Sequence, residues 1–412
     1  MNNQYTNNMK PTPHYPRFSL TILVAAILLL SACDERKETA GCDPGNDRGQ
    51  LIEATLLNIF TIPMLNELLN NSGLDLEVTI NNEIAVYKLV YQTIDPFGEP
   101  INASGALFIP RGETENGFPI ISIHHGTETK RDAVASENPL LSFESILMAS
   151  TGYVSCTPDY LGLGNAPGLH PYLLLESSAT AVIDFLRAAK IFCCQNNVEL
   201  NDQLFLAGYS EGGYVTLAAQ KIIKQFHSDE FTVTASAPMA GPYDLVATAY
   251  DILSRDTYAH PAYFGYVFLT YDAIYGWDRL DDIFQTPYAD SLTGLFDGTK
   301  SISEIDAALS TSIATLFDST FIADFLSSGE QELKTALREN SPLDWSPEAP
   351  TRFYHGDADI TVPYLNAVLA ESLLTANGGD KVELTIIPGG THETAAVPAM
   401  EMALAWFDSL KQ

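Results

Sequence analysis

Between residues 120 and 237 short, unbroken apolar runs alternate with longer segments of helical periodicity, and no other feature of the chain limits its fold so tightly. The runs 120–123, 153–157, 204–207 and 231–237 have strand length. Between them lie 142–150, 176–190 and 213–226, with the spacing of amphipathic helices. A strand apolar at every position must be covered on both faces, and strands joined by helical crossovers form a parallel sheet. The pattern stops after Gly241-Pro242 and resumes with a strand at 351–354, a helix at 364–374, a strand at 382–387 and a last helix ending at Leu410. Upstream, 84–94 and 106–109 are β-rich runs joined by Asp95-Pro96 and Phe97-Gly98, while 51–69 has spacing that fits a helix. The expectation is an α/β domain in two parts, 51–241 and 346–412. A helical cap at 242–345, with helices at 262–274, 302–309 and 313–326, interrupts it before the strand at 351.

The first 32 residues are set aside from the fold. Lys10 and Arg17 precede an apolar stretch from Phe18 to Leu30, which is short for a membrane span of about 20 residues and fits a signal peptide. Leu30-Ser31-Ala32-Cys33 resembles the bacterial lipobox, which predicts acylation of Cys33 and a membrane anchor in the cell envelope, outside the cytoplasm. Residues 33–50 then form a tether.

Asp and Glu number 52 against 21 Lys and Arg, for a net charge of −31. Removing residues 1–32 takes Lys10 and Arg17 away and leaves −33. Nucleic acid is excluded as a partner, because phosphate binding needs clustered cations. Beyond Cys33 the cysteines are Cys42, Cys156, Cys193 and Cys194. An extracytoplasmic chain permits disulfides, and Cys42 with one of the adjacent pair is the expected bridge.

Gly208-Tyr209-Ser210-Glu211-Gly212 falls between the run 204–207 and the helix that follows. A serine on a sharp strand-to-helix turn stands clear of the sheet as a nucleophile. Serine is weak alone and needs a base, which in turn needs an orienting acid. Tyr354-His355-Gly356-Asp357-Ala358-Asp359 carries two carboxylates after one strand, and Gly389-Gly390-Thr391-His392 carries a histidine after the last. Loops at strand carboxyl ends are where α/β sheets place their sites. The order serine, acid, histidine is that of α/β-hydrolases. His355 is expected to support its loop, and His124 and His125 to shape a turn. Tyr209, Asp159 and Tyr160 either line or brace the site. Asp357 and Asp359 have no further ligands around them, so neither metal nor cofactor is expected.

Beyond these motifs the chain resembles the secretory lipase family typified by Candida lipase A, with bacterial lipoprotein esterase relatives. The resembling stretches include residues 87–93, Ala103-Ser104-Gly105, His124-His125-Gly126-Thr127, residues 157–164 and His170-Pro171-Tyr172. The resemblance implies an α/β-hydrolase fold and hydrolysis of a small-molecule or lipid ester. Within Gly356-x-x-Asp359-x-x-Val362-Pro363 it assigns the acid to Asp359, with Asp357 the rival. It places the oxyanion donors at the amides of Glu211 and Thr127. Two other functions stay open: a peptidase of the prolyl-oligopeptidase type, for which no repeat-bearing N-terminal region is present, and a surface lipoprotein without catalysis.

Overall fold

The computed structural model describes Cys42, residues 48–72 and residues 78–412. The expected signal segment, Cys33 and most of the expected tether lie outside the described residues. In chain order the first elements are β1 (Leu51–Phe60), α1 (Ile62–Asn71), β2 (Glu83–Ile94), β3 (Pro100–Arg111), β4 (Phe118–His124), α2 (Phe143–Ser150), β5 (Val154–Pro158), α3 (Leu175–Gln195), β6 (Leu200–Tyr209), α4 (Glu211–Phe226) and β7 (Val233–Met239). Eight helices follow: α5 (Leu245–Leu253), α6 (Pro261–Tyr275), α7 (Leu280–Ile283), α8 (Tyr288–Leu295), α9 (Ile302–Ala308), α10 (Ile313–Leu316), α11 (Ser319–Phe325) and α12 (Gln331–Glu339). The chain closes with β8 (Thr351–Gly356), α13 (Leu365–Ala376), β9 (Val382–Ile387) and α14 (Ala396–Leu410).

The strands form one sheet in the order β1-β2-β3-β5-β4-β6-β7-β8-β9. Pairings from β1 to β5 are antiparallel and those from β5 to β9 are parallel. Side chains on β6 show why both faces must be covered. Leu204 and Leu206 enter the core shared with α3 and α4, while Phe205 and Ala207 enter a second core against Ala399, Ala403 and Phe407 of α14. The carboxyl ends of β4, β6, β8 and β9 therefore converge on one rim, with helix packed on either side.

Two expected helices are corrected. Residues 51–69 are a strand and then a helix, since β1 pairs with β2 along its length and α1 begins only at Ile62. Ile52, Thr55 and Ile59 favour extended chain, and Pro63 in the first turn of α1 cannot continue a helix from upstream. Residues 313–326 break between α10 and α11. There Asp318 leaves the helix to accept from the amides of Thr320 and Phe321 as an N-cap. The disulfide joins Cys42 to Cys194 at the end of α3, while Cys193 and Cys156 are buried thiols.

Candidate active site

The turn after β6 brings the rim its serine. Ser210 has φ 59° and ψ −122°, a conformation rarely open to a side-chain-bearing residue, and α4 starts at the next position. Its backbone is held on both sides: Ser210 N donates to the Met239 carbonyl at 2.9 Å, and its carbonyl accepts from Gly213 N at 2.9 Å. Close approach explains the flanking glycines. A Cβ at Gly208 would lie 2.4 Å from the Gly212 carbonyl oxygen, and one at Gly212 only 2.0 Å from that of His124.

From this turn the Ser210 hydroxyl lies 2.9 Å from His392 Nε2, and His392 Nδ1 lies 2.6 Å from Asp359 Oδ2. The His392 loop is fixed by the Tyr209 hydroxyl, which donates to the His392 carbonyl at 2.7 Å. Tyr209 is thus a brace. Asp359 Oδ1 accepts from the amides of Thr361 and Val362 at 2.9 Å each, and His355 Nε2 stands 3.2 Å from Oδ2. Burial pushes the Asp359 carboxyl up, but hydrogen bonds from His355 and His392 outweigh it and hold it at about 2. Asp357 instead accepts from Gly389 N at 2.6 Å, which ties the acid loop to the histidine loop.

The loop after β4 packs against the turn, where a Cβ on Gly126 would come within 3.8 Å of Ser210 Cβ. His124 is fully enclosed between Thr216 Oγ1 at 2.7 Å and Ser122 Oγ at 2.9 Å. Burial, with His125 beside it, drives its imidazole down to about 3, so it is a neutral structural group. The amides of Glu211 and Thr127 donate to no protein acceptor among the described residues. Asp159 is buried and accepts from the hydroxyls of Ser104 and Ser136. It underpins the loop rather than lining the site.

An apolar cavity of about 60 Å³ reaches the acid loop at Thr361 and Val362 and is otherwise lined by Tyr172, Leu245, Tyr258 and Phe264 among others; Ser210, Asp359 and His392 do not line it. It separates the acid loop from α5 and α6. No group of three His, Cys, Asp or Glu side chains able to hold a metal occurs among the described residues.

No role for His170-Pro171-Tyr172 is legible in its residues, yet His170 Nε2 lies 2.7 Å from Glu211 Oε1 and the Tyr172 hydroxyl 2.8 Å from Thr127 Oγ1. Only contact across the fold shows this, because neither pair has a local sequence pattern.

No protein-family model matches the chain, and no curated protein matches it by sequence. Solved structures do. The rice cell wall degrading esterase LipA from Xanthomonas oryzae superposes with a TM-score of 0.78 at 30% identity, covering 87% of this chain and 95% of LipA. The chain belongs to the lipase A-like α/β-hydrolase family. A Legionella pneumophila protein described as a candidate hydrolase aligns at TM-score 0.82 and 27% identity over 88% of this chain and 98% of its own. Candida antarctica lipase A in its closed state aligns at TM-score 0.65 over 88% of this chain and 82% of its own; at 14% identity that likeness is one of fold. This lipase A-like chain is a hydrolase of the lipase and esterase type.

Proposed function

We propose that Ser210, His392 and Asp359 form the catalytic triad of a serine ester hydrolase that works through an acyl-enzyme. The observation that supports this is the unbroken line of contacts, 2.9 Å from Ser210 Oγ to His392 Nε2 and 2.6 Å from His392 Nδ1 to Asp359 Oδ2. Asp359, ionised at neutral pH, accepts from Nδ1–H and so leaves the Nε2 lone pair facing the hydroxyl. His392 takes the serine proton as Oγ attacks the ester carbonyl, and the amides of Glu211 and Thr127 receive the oxyanion. The imidazolium then protonates the leaving alkoxide. Water, deprotonated by the same histidine, releases the acid and restores Ser210. The apolar cavity beside the acid loop, lined on its other walls by α5 and α6, supports an uncharged acyl group as part of the substrate, and helices α5 to α12 act as the cap.

We also propose that the chain is anchored through lipidated Cys33 to a bacterial envelope membrane and faces out of the cytoplasm. The lipobox-like Leu-Ser-Ala-Cys supports this, and so does the Cys42–Cys194 bridge, which belongs in an oxidising compartment. Replacing Cys33 by Ser should move the protein from the membrane fraction to the soluble one; unchanged membrane association would end the anchor proposal.

The triad is tested with Ser210→Ala on p-nitrophenyl esters, with Pro-linked peptide amides as a second substrate arm. Turnover of esters should fall by about 10⁴-fold or more with the fold intact by circular dichroism. Near-normal ester turnover in this variant would exclude Ser210 as the nucleophile, and faster cleavage of the amides than of the esters by the native enzyme would favour a peptidase.

A further inference from the structure

The segment His170-Pro171-Tyr172 lies between β5 and α3 and reaches both residues whose amides would hold the oxyanion. The first contact, His170 with Glu211, is almost wholly buried, with side chains 3% and 0% exposed. A buried carboxyl group needs a compensating partner, and Glu211 Oε2 has none among the described residues, so His170 alone supplies it. On its other side His170 Nδ1 lies 2.7 Å from the Leu161 carbonyl. A carbonyl only accepts, so Nδ1 carries a proton, and the Nε2–Oε1 contact requires a second one. Imidazolium with carboxylate, or imidazole with carboxylic acid, gives the same result: a pair without net charge. A bare carboxylate here would repel the negative charge that forms on the substrate oxygen.

The second contact pins the other half. Thr127 Oγ1 meets the Tyr172 hydroxyl, whose ring stacks on Tyr266 of α6 at 4.6 Å. A ring column links the two sides, since Tyr160 stacks with His125 at 4.0 Å and with His170 at 5.7 Å. The Tyr160 hydroxyl also donates to the His125 carbonyl at 2.9 Å, next to Gly126-Thr127.

We propose that His170 and Tyr172 are positioning residues. One short segment grips Glu211 and Thr127 by their side chains and thereby sets the distance and aim of their two amides. The inference rests on the oxyanion assignment made above. Its physical basis is that hydrogen bonds weaken steeply with misalignment, and that oxyanion stabilisation depends on donors fixed before charge develops.

The test uses Tyr172→Phe, Glu211→Gln and Glu211→Ala in the full chain, with Ser210→Ala as reference. Two inhibitors are compared on each. A trifluoromethyl ketone accepts Ser210 Oγ at its carbonyl carbon, passes the serine proton to His392 and leaves an oxyanion in the hole; the matching methyl ketone binds without that charge. Tyr172→Phe removes one oxygen and keeps the ring. It should lower kcat about tenfold with KM within about twofold, and weaken the trifluoromethyl ketone by a similar factor while sparing the methyl ketone. Glu211→Ala should lower kcat roughly 100-fold, and Glu211→Gln, whose amide can donate to a neutral His170 Nε2, should lose markedly less. Should Glu211→Ala fail to fold, Tyr172→Phe decides alone. The proposal is overturned if Tyr172→Phe keeps native kcat, or if its losses fall equally on both ketones, as a general loosening of structure would give. Native turnover in Ser210→Ala would be a different failure, bringing down the triad and the clamp with it.

Discussion

Ser210 occupies backbone angles that suit glycine, and the strain is held by the bonds to Met239 and Gly213. Ser210→Gly should therefore raise stability by about 1 kcal/mol in urea denaturation, while Ser210→Ala leaves it near the native value. Both should be inactive. Gly212→Ala has the opposite character: its Cβ would meet the His124 carbonyl at 2.0 Å, within a turn that has no room to move. We expect a loss of about 3 kcal/mol or failure to fold, read from the same denaturation curves. At Asp359 the folded carboxyl stands at about 2 against an ordinary 3.8. A depressed folded value stabilises above the ordinary one and is lost as pH falls through the folded one. Native protein should accordingly lose about 2 kcal/mol between pH 4 and pH 2 that Asp359→Asn does not. Parallel curves for the two proteins would mean the carboxylate is not held as described.

Among the elements, α3 carries the disulfide at its far end, and the bridge closes a sequence separation of 152 residues. Cys194→Ser should cost about 3 kcal/mol, seen as a lower Tm, because an open chain of that length gains much freedom when unfolded. The alternation of β4 to β7 with α2 to α4 was legible because period and length coincide in strands buried on both faces. β1 was not. Its side chains are mostly exposed on an edge, so no burial pattern separates it from a helix, and only Pro63 marks the break. The serine, acid and histidine were legible for a related reason. Each follows a strand within its own short motif, and the sheet order alone brings them to one rim. Asp359 could be preferred to Asp357 only by resemblance; in the fold one meets His392 and the other the Gly389 amide. The grip of His170 on Glu211 carries no local signal at all.

At the scale of the whole molecule, the segment between β7 and β8 reaches the acid loop through the connection between α5 and α6. The Tyr258 hydroxyl donates to the Thr361 carbonyl at 3.1 Å, and Arg255 to the carbonyl of Ile360 at 2.8 Å. Both acceptors lie beside Asp359, while on α6 Thr270 Oγ1 donates to the His170 carbonyl at 3.2 Å and Tyr266 stacks on Tyr172, so a shift of this segment would be felt at the acid loop and at the oxyanion side together. The net charge of −31 over the whole chain also acts at a distance. Esters with a cationic leaving group should show a higher kcat/KM than neutral isosteres at low ionic strength, and the gap should close as salt rises towards about 0.5 M. A gap independent of salt would place the preference in local contacts instead. The bridge at Cys42 has a mechanical consequence. A pull on the chain from its N-terminal side would otherwise peel β1 from β2, one ladder bond after another, starting at an exposed edge. With sulfur joining Cys42 to Cys194, tension passes directly into α3 at the heart of the fold, and the edge strand downstream is left slack.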